Sequence, residues 1–220
     1  MISGFLLINK DSGITSSRVV QIIKKKFNFK KVGHLGTLDP MAKGLLILAI
    51  NRATKFSSLL LQSNKSYYAE VTLGQQTDTD DAEGAITAIQ KVVCKDQEVK
   101  AKLLAFLGES QQFAPAYSAL KHKGKPMYKY ARDGIRVDKE ARTITINQID
   151  HITIDLPKVS FDIACSKGTY IRSIARDLGN QLKCGGHLSD LIRTSQEKFS
   201  INDASSIDEV SEDKIIPLEN

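Results

Sequence analysis

Asp39 is the carboxylate best placed by its neighbours to do chemistry. It sits in Gly33-His34-Leu35-Gly36-Thr37-Leu38-Asp39-Pro40-Met41-Ala42-Lys43-Gly44, between a basic segment and the apolar run Leu45 to Ile50. The glycines permit positive φ or close backbone approach, while Pro40 fixes its own φ and pushes Asp39 towards extended geometry. The stretch therefore reads as a shaped loop, and a shaped loop beside a buried strand can hold one catalytic group in place. An Asp-Pro pair also serves ordinary turns, where the carboxylate bonds the local backbone. A phosphate loop of the Walker type is disfavoured, because Lys43 precedes Gly44 and the order Gly-Lys-Ser/Thr is missing.

Other residue groupings narrow the chemistry. Cys94, Cys165 and Cys184 are widely spaced, and His34, His122, His151 and His187 show no paired spacing, so no metal site and no disulfide framework is expected. The acids Asp78, Asp80, Asp81 and Glu83 fail the ligand spacing of a calcium loop. Residues 15–36 carry Arg18, Lys24, Lys25, Lys26, Lys30 and Lys31 with no acid, and a second basic stretch runs from Lys121 through Lys123, Lys125, Lys129, Arg132, Arg136 and Lys139 to Arg142. The net charge of +6 hides an uneven split: residues 203–220 hold six acids and one lysine, leaving +11 on residues 1–202. Two such clusters are the footprint of a polyanion partner, although a solvated helix face would also read this way. Tyr117, Tyr128 and Tyr130, interleaved with lysines, suit base stacking beside phosphate contact, as would a short amphipathic helix.

The elements that must carry these residues follow from periodicity. Gly4 to Asn9 reads as a buried strand, and Thr15 or Ser16 caps a helix with Val19, Ile22, Ile23 and Phe27 along one stripe. Leu45 to Ile50 reads as a central strand and Arg52 to Leu61 as a short helix. Lys65 to Gly74 alternates, with Tyr67, Ala69, Val71 and Leu73 on one face. Asp96 is the expected cap of a helix using Val99, Leu103, Phe106 and Leu107. Strands follow at Thr143 to Ile149 and Val159 to Cys165, then a helix through Tyr170, Ile174 and Leu178, and a last short helix holding Leu188, Leu191 and Ile192. Without βαβ regularity the class is α+β. At 220 residues the chain buries a core without staples, no apolar run reaches a membrane span, and Met1 to Phe5 is not a signal peptide, so a cytoplasmic protein is expected.

The Asp39 stretch resembles the catalytic motif of the TruB family of pseudouridine synthases, which modify the T-loop uridine of tRNA. Gly4-Phe5-Leu6-Leu7-Ile8-Asn9-Lys10 resembles that family's first motif, with Asp11 where members commonly have Pro. Lys65-Ser66-Tyr67 with Leu73-Gly74 and Thr77-Asp78-Thr79, Cys165 to Arg172, and Leu191-Ile192-Arg193-Thr194 are similar to later motifs in the same order, over roughly Gly4 to Lys198. Tyr117 to Lys121 and Tyr130 to Gly134 are similar to the insertion that grips the T-arm.

The resemblance implies a pseudouridine synthase fold, a central mixed, mainly antiparallel sheet flanked by helices and loops. It implies Asp39 as the catalytic residue, and Tyr67, Tyr170, Arg172, Leu191, His34 and Lys10 as substrate-side residues. Tyr67 would stack on the flipped uracil, Arg172 would keep Asp39 charged, and His34 would enter the RNA loop vacated by the base. The isomerisation it implies requires no metal and no cofactor. The expected organisation is a catalytic domain over residues 1–200, with a basic insertion at about 117–146, and a short acidic tail at 201–220 in place of the family's C-terminal PUA domain. The expected partner is the tRNA T-arm, bound by a monomer without membrane contact. Rival readings are a tRNA-folding factor or RNA chaperone that needs no turnover, and a synthase acting on another RNA.

Overall fold

Alternation of period two and helical stripes translate into the following order of elements: β1 (Gly4–Lys10), α1 (Ser16–Lys26), β2 (Val32–His34), β3 (Lys43–Ile50), β4 (Lys65–Leu73), β5 (Gln75–Thr77), β6 (Ile86–Ile89), α2 (Asp96–Leu104), β7 (Gly108–Phe113), β8 (Lys121–His122), β9 (Lys125–Pro126), α3 (Met127–Arg132), β10 (Ala141–Asp155), β11 (Lys158–Cys165), α4 (Ile171–Gln181), β12 (Gly186–Gln196), β13 (Phe199–Ser200) and β14 (Ile216–Pro217). The structure is a computed structural model describing residues 2–56, 61–118, 120–122, 124–135, 137 and 140–218, with the side chains of residues 121, 122 and 132 not described. The class is α+β, with strand pairing mainly antiparallel. Two units divide the chain, one formed by residues 1–68 with 191–220 and the other by residues 69–190.

In the first unit the strand order is β14-β1-β3-β12, with β13 on β12 and β2 on β3. β1 pairs antiparallel with β3 along its own full length, from Gly4 opposite Ile50 to Lys10 opposite Gly44. The other edge of β3 is shared: β2 takes its end, with His34 opposite Leu48, and β12 takes its start in parallel, with Arg193 opposite Gly44. Covered on both edges and both faces, Leu45 to Ile50 have no exposed surface. A strand buried on both faces reads as the continuous apolar run seen in the sequence. One core cluster joins Leu7, Leu35, Leu45, Ile47, Ala49, Ala53 and Phe199. α1 is capped by Thr15, whose hydroxyl accepts from the Arg18 amide, and it buries Ser16, Val19 and Ile23 while Lys24, Lys25 and Lys26 stay exposed. Asn51 to Phe56 form a 3-10 turn, and the remainder of the helix expected as far as Leu61 runs through residues 57–60, outside the described residues.

In the second unit β4, β11, β10 and β7 are neighbours in that order. β4 shows the expected alternation, with Tyr67, Ala69, Val71 and Leu73 buried. The stretch after Gly74 carries a small β5–β6 hairpin. Asp96 lies in the first turn of α2, with Lys95 at the cap position and no side-chain cap bond. Within the second basic stretch Lys123, Arg136 and Lys139 lie outside the described residues, while Lys125 pairs with Asp133 at 2.7 Å.

The segment around Leu188, Leu191 and Ile192 is a strand, β12, and not the short helix its spacing suggested. A short apolar run satisfies either period, and β12 has neighbours on both edges, β3 and β4, so ladder pairing decides. Residues 201–218 also fold as part of the first unit. Ser205 bridges Ile8, β14 pairs with Phe5, and Lys26 donates to the carbonyls of Ile207 and Asp208.

Candidate active site

The Asp39 loop spans the gap between β2 and β3, and side chains from three other elements hold its backbone. From α1, the Ser16 hydroxyl donates to the Leu38 carbonyl at 3.0 Å and accepts from the Leu38 amide at 2.9 Å. At the end of β1, the fully buried Lys10 ammonium donates to the carbonyls of Asp11 and Ile14 at 2.8 Å and of Pro40 at 3.2 Å. From β12, the Arg193 guanidinium donates through Nη2 to the Gly36 carbonyl at 3.0 Å and through Nε to the Leu45 carbonyl at 2.7 Å, with Nη1 3.5 Å from the Thr37 carbonyl. Gln196 adds a bond to the Leu35 carbonyl at 2.8 Å. Within the loop the Ala42 amide bonds the Asp39 carbonyl, which closes a turn at Pro40.

Asp39 itself is half-buried between the buried Leu38 and Met41. A carboxylate on backbone tied at residues 35, 36, 38 and 40 is pre-organised, the condition for acting on a bound substrate without reorganisation.

Lys10 therefore joins the loop through its backbone, one residue from Asp39. His34 ends β2, and its Nδ1 is buried without a hydrogen-bond partner among the described residues. Burial first, and the Arg193 charge second, push its pKa below the usual histidine range, which keeps the ring neutral near pH 7. Tyr67 is 8% exposed, and its phenol lies close enough to the Arg193 guanidinium to raise that group's pKa. Leu191, 6% exposed, lies two residues before Arg193 on β12 and so shares its face of the strand.

Tyr170 and Arg172 belong to the second unit. The Gln112 side-chain amide grips the Tyr170 backbone from both sides, accepting from its amide at 2.8 Å and donating to its carbonyl at 3.1 Å. Arg142 lies over the Tyr170 ring at 5.7 Å. Arg172 donates to the carbonyls of Thr79 at 3.0 Å and Tyr117 at 2.9 Å, and its Nη1 lies 3.3 Å from Asp81 Oδ2, with both side chains 5% exposed. Asp81 is oriented in turn by the Thr79 hydroxyl at 2.6 Å and the Glu83 amide at 3.1 Å.

The sequence pattern pointed to no site role for Arg193, Gln196, Asp81 or Ser16, the last read only as a possible helix cap. Arg193 did carry a signal, as the charge in the Leu191-Ile192-Arg193-Thr194 motif; charged side chains are almost never fully buried unless held.

A family profile, TruB family pseudouridylate synthase (N terminal domain), matches residues 24–171. The chain is 45% identical over 222 residues to the tRNA pseudouridine synthase B of Alkaliphilus oremlandii, covering 99% of this chain and 74% of that protein. It belongs to the TruB family. A second TruB relative, the tRNA pseudouridine synthase B of Clostridium kluyveri, is 44% identical over 213 residues, with 97% of this chain and 74% of that protein covered. Among solved structures, this TruB chain matches one in a Cbf5-Nop10-Gar1 complex at TM-score 0.75 and 27% identity, covering 97% of this chain and 60% of that one. It also matches a chain of an H/ACA RNP bound to a substrate RNA containing 2'-deoxyuridine at TM-score 0.69 and 27% identity, covering 93% and 51%. The chain thus spans between half and three-fifths of those longer chains.

Proposed function

We propose that this TruB-family chain is a tRNA pseudouridine(55) synthase that converts the T-loop uridine to pseudouridine, with Asp39 as the catalytic carboxylate. The observation that carries this is the Asp39 loop, a half-buried carboxylate on a backbone bonded by Ser16, Lys10, Arg193 and Gln196. The reaction breaks the C1′–N1 bond, turns the uracil and forms C1′–C5; N1 gains a proton and C5 gives one up. Asp39 acts on the sugar and base as nucleophile or as the base that starts glycal formation.

The target uridine must leave its stack, which costs a few kcal/mol, and an aromatic face returns about 1–3 kcal/mol per stacked base. Tyr67 is assigned that face, and its hydroxyl is assigned the C5 proton. Leu191 is assigned a wall of the base site, His34 the space the base leaves in the RNA loop, and Lys10 the turn at Pro40. Tyr170 and Arg172 enter this reading on their motif alone. The six exposed cations Arg18, Lys24, Lys25, Lys26, Lys30 and Lys31 favour an RNA partner, here the T-arm, bound by a monomer in the cytoplasm. Among the described residues no helix is long and apolar enough to cross a membrane.

The test uses T-arm RNA tritiated at uridine C5, which isomerisation releases to water. The chain is expected to release tritium and Asp39→Ala to release none. Release by both variants would remove Asp39 from the mechanism. Tight binding by both with release by neither would replace the enzyme with a tRNA-folding factor.

A further inference from the structure

Arg193 heads the fully buried side chains by volume, at 1% exposure. Its hydrogen-bond partners are the carbonyls of Leu45, Gly36 and Thr37, the Tyr67 phenol lies close enough to act on its charge, and no carboxylate among the described residues is bonded to it. Burying such a charge without a counter-ion is costly, and an apolar residue of similar volume would spare that cost. The surrounding backbone is nevertheless shaped to receive it: Gly36, at φ +139°, offers its carbonyl to Nη2, and Gly44, at φ +96°, lets the Arg193 backbone approach to where a Cβ would stand 2.4 Å from its carbonyl oxygen. Burial pushes the guanidinium pKa down, and Tyr67 is the group that pulls it back up.

One planar fork thus spans both ends of the Asp39 loop, Gly36 at its entry and Leu45 at its exit, and reaches the phenol on β4. We propose that Arg193 is a positioning residue for the isomerisation, fixing the base of the Asp39 loop and polarising the Tyr67 hydroxyl to accept the uridine C5 proton. This rests on the synthase reading for its reaction. In the step concerned the C5–H bond breaks, its electron pair returns to the uracil ring, and the proton passes to the Tyr67 oxygen and then to water. A neutral phenol is a poor proton acceptor, and an adjacent cation favours the ionised form. The other titratable groups on the surrounding elements are Lys10 on β1, His34 on β2, Lys43 on β3, Lys65, Tyr68 and Glu70 on β4, His187 and Asp190 on β12, and Asp39 in the loop. Of the acids, Glu70 and Asp190 lie three residues from Tyr67 and Arg193 along their strands and so on the opposite faces, which leaves Asp39 as the acid of this group that would oppose the effect.

The experiment has two arms. Without RNA, ultraviolet difference titration of the protein against Tyr67→Phe isolates one phenol among the six tyrosines. Arg193→Met is expected to move that ionisation to higher pH, and an unmoved ionisation would overturn the proposal whether or not the chain is a synthase. In single-turnover tritium release, Arg193→Met is expected to lose on the order of 10²-fold in rate, the scale for a misplaced catalytic constellation. RNA affinity is expected to stay within about twofold of wild type, since no phosphate contact is assigned to this buried side chain. The rising limb of its pH–rate profile should move upward. A uniform loss with an unshifted profile would reduce Arg193 to a structural role. Arg193→Lys keeps the charge without the fork and is read if the methionine variant does not fold; a wild-type rate and profile there would refute positioning, and partial rescue would support it. Absence of tritium release from the unmutated chain would sink the synthase reading and leave the titration to decide the Arg193–Tyr67 link.

Discussion

Gly44→Ala tests how tightly β3 and β12 enclose the start of the central strand. Gly44 has φ +96°, and a Cβ built there stands 2.4 Å from the carbonyl oxygen of Arg193, 2.9 Å from its amide nitrogen and 3.0 Å from Ile192 Cγ2. The first two atoms are backbone, in the residue paired with Gly44 across the parallel ladder, so no side-chain rotation relieves the clash. Holding an L-residue at positive φ costs about 1–2 kcal/mol, and overpacking a core typically costs about 1–3 kcal/mol. Together they predict a loss of about 2–5 kcal/mol, which for a chain of this size lowers Tm by roughly 5–15 °C. Differential scanning calorimetry with parallel urea melts would measure it. Gly33→Ala is the control, with ordinary φ and no atom within 4 Å of its Cβ, and its change is expected within about 0.5 kcal/mol. A Gly44→Ala protein melting within error of Gly33→Ala would refute the parallel pairing of β3 with β12, and with it the route by which Arg193 reaches the loop.

Two further outcomes follow from the same loop. Lys10→Met keeps volume but leaves the carbonyls of Asp11, Ile14 and Pro40 without their ammonium donor, at about 1–3 kcal/mol for each one left unsatisfied, partly offset by no longer burying a charge. Because Pro40 adjoins Asp39, the single-turnover rate should fall further than RNA affinity, and an equal fall in both would contradict this. His34 has a folded pKa below its unfolded value of about 6.5. The unfolded chain takes up that proton first, so stability falls as pH drops through and below 6.5, down to the folded pKa. Urea melts from pH 7.5 to 5.0 should show a shallower pH slope for His34→Asn, and identical slopes would mean that the ring is not desolvated.

Local patterns in the amino-acid sequence determined much of this protein. The Thr15 cap, the stripe of α1, the alternation that buries Tyr67, the apolar run of β3 and the Gly/Pro shape of the Asp39 loop all depend on neighbours within a few residues. Such patterns can be read one segment at a time because each reflects a preference of the local backbone. Tertiary structure decided the rest. Leu188 to Ile192 satisfies helical spacing, yet it is a strand because β3 and β4 supply ladder partners from distant parts of the chain. Asp81 read as one of four acids that fail the spacing of a calcium loop, and only folding places it 3.3 Å from Arg172. Arg193 became the anchor of the loop through carbonyls at 36 and 45, which no spacing around residue 193 encodes. A buried charge must be satisfied by whatever donors and acceptors the fold brings to it, so its partners are a property of the assembled sheet and not of the segment that carries it.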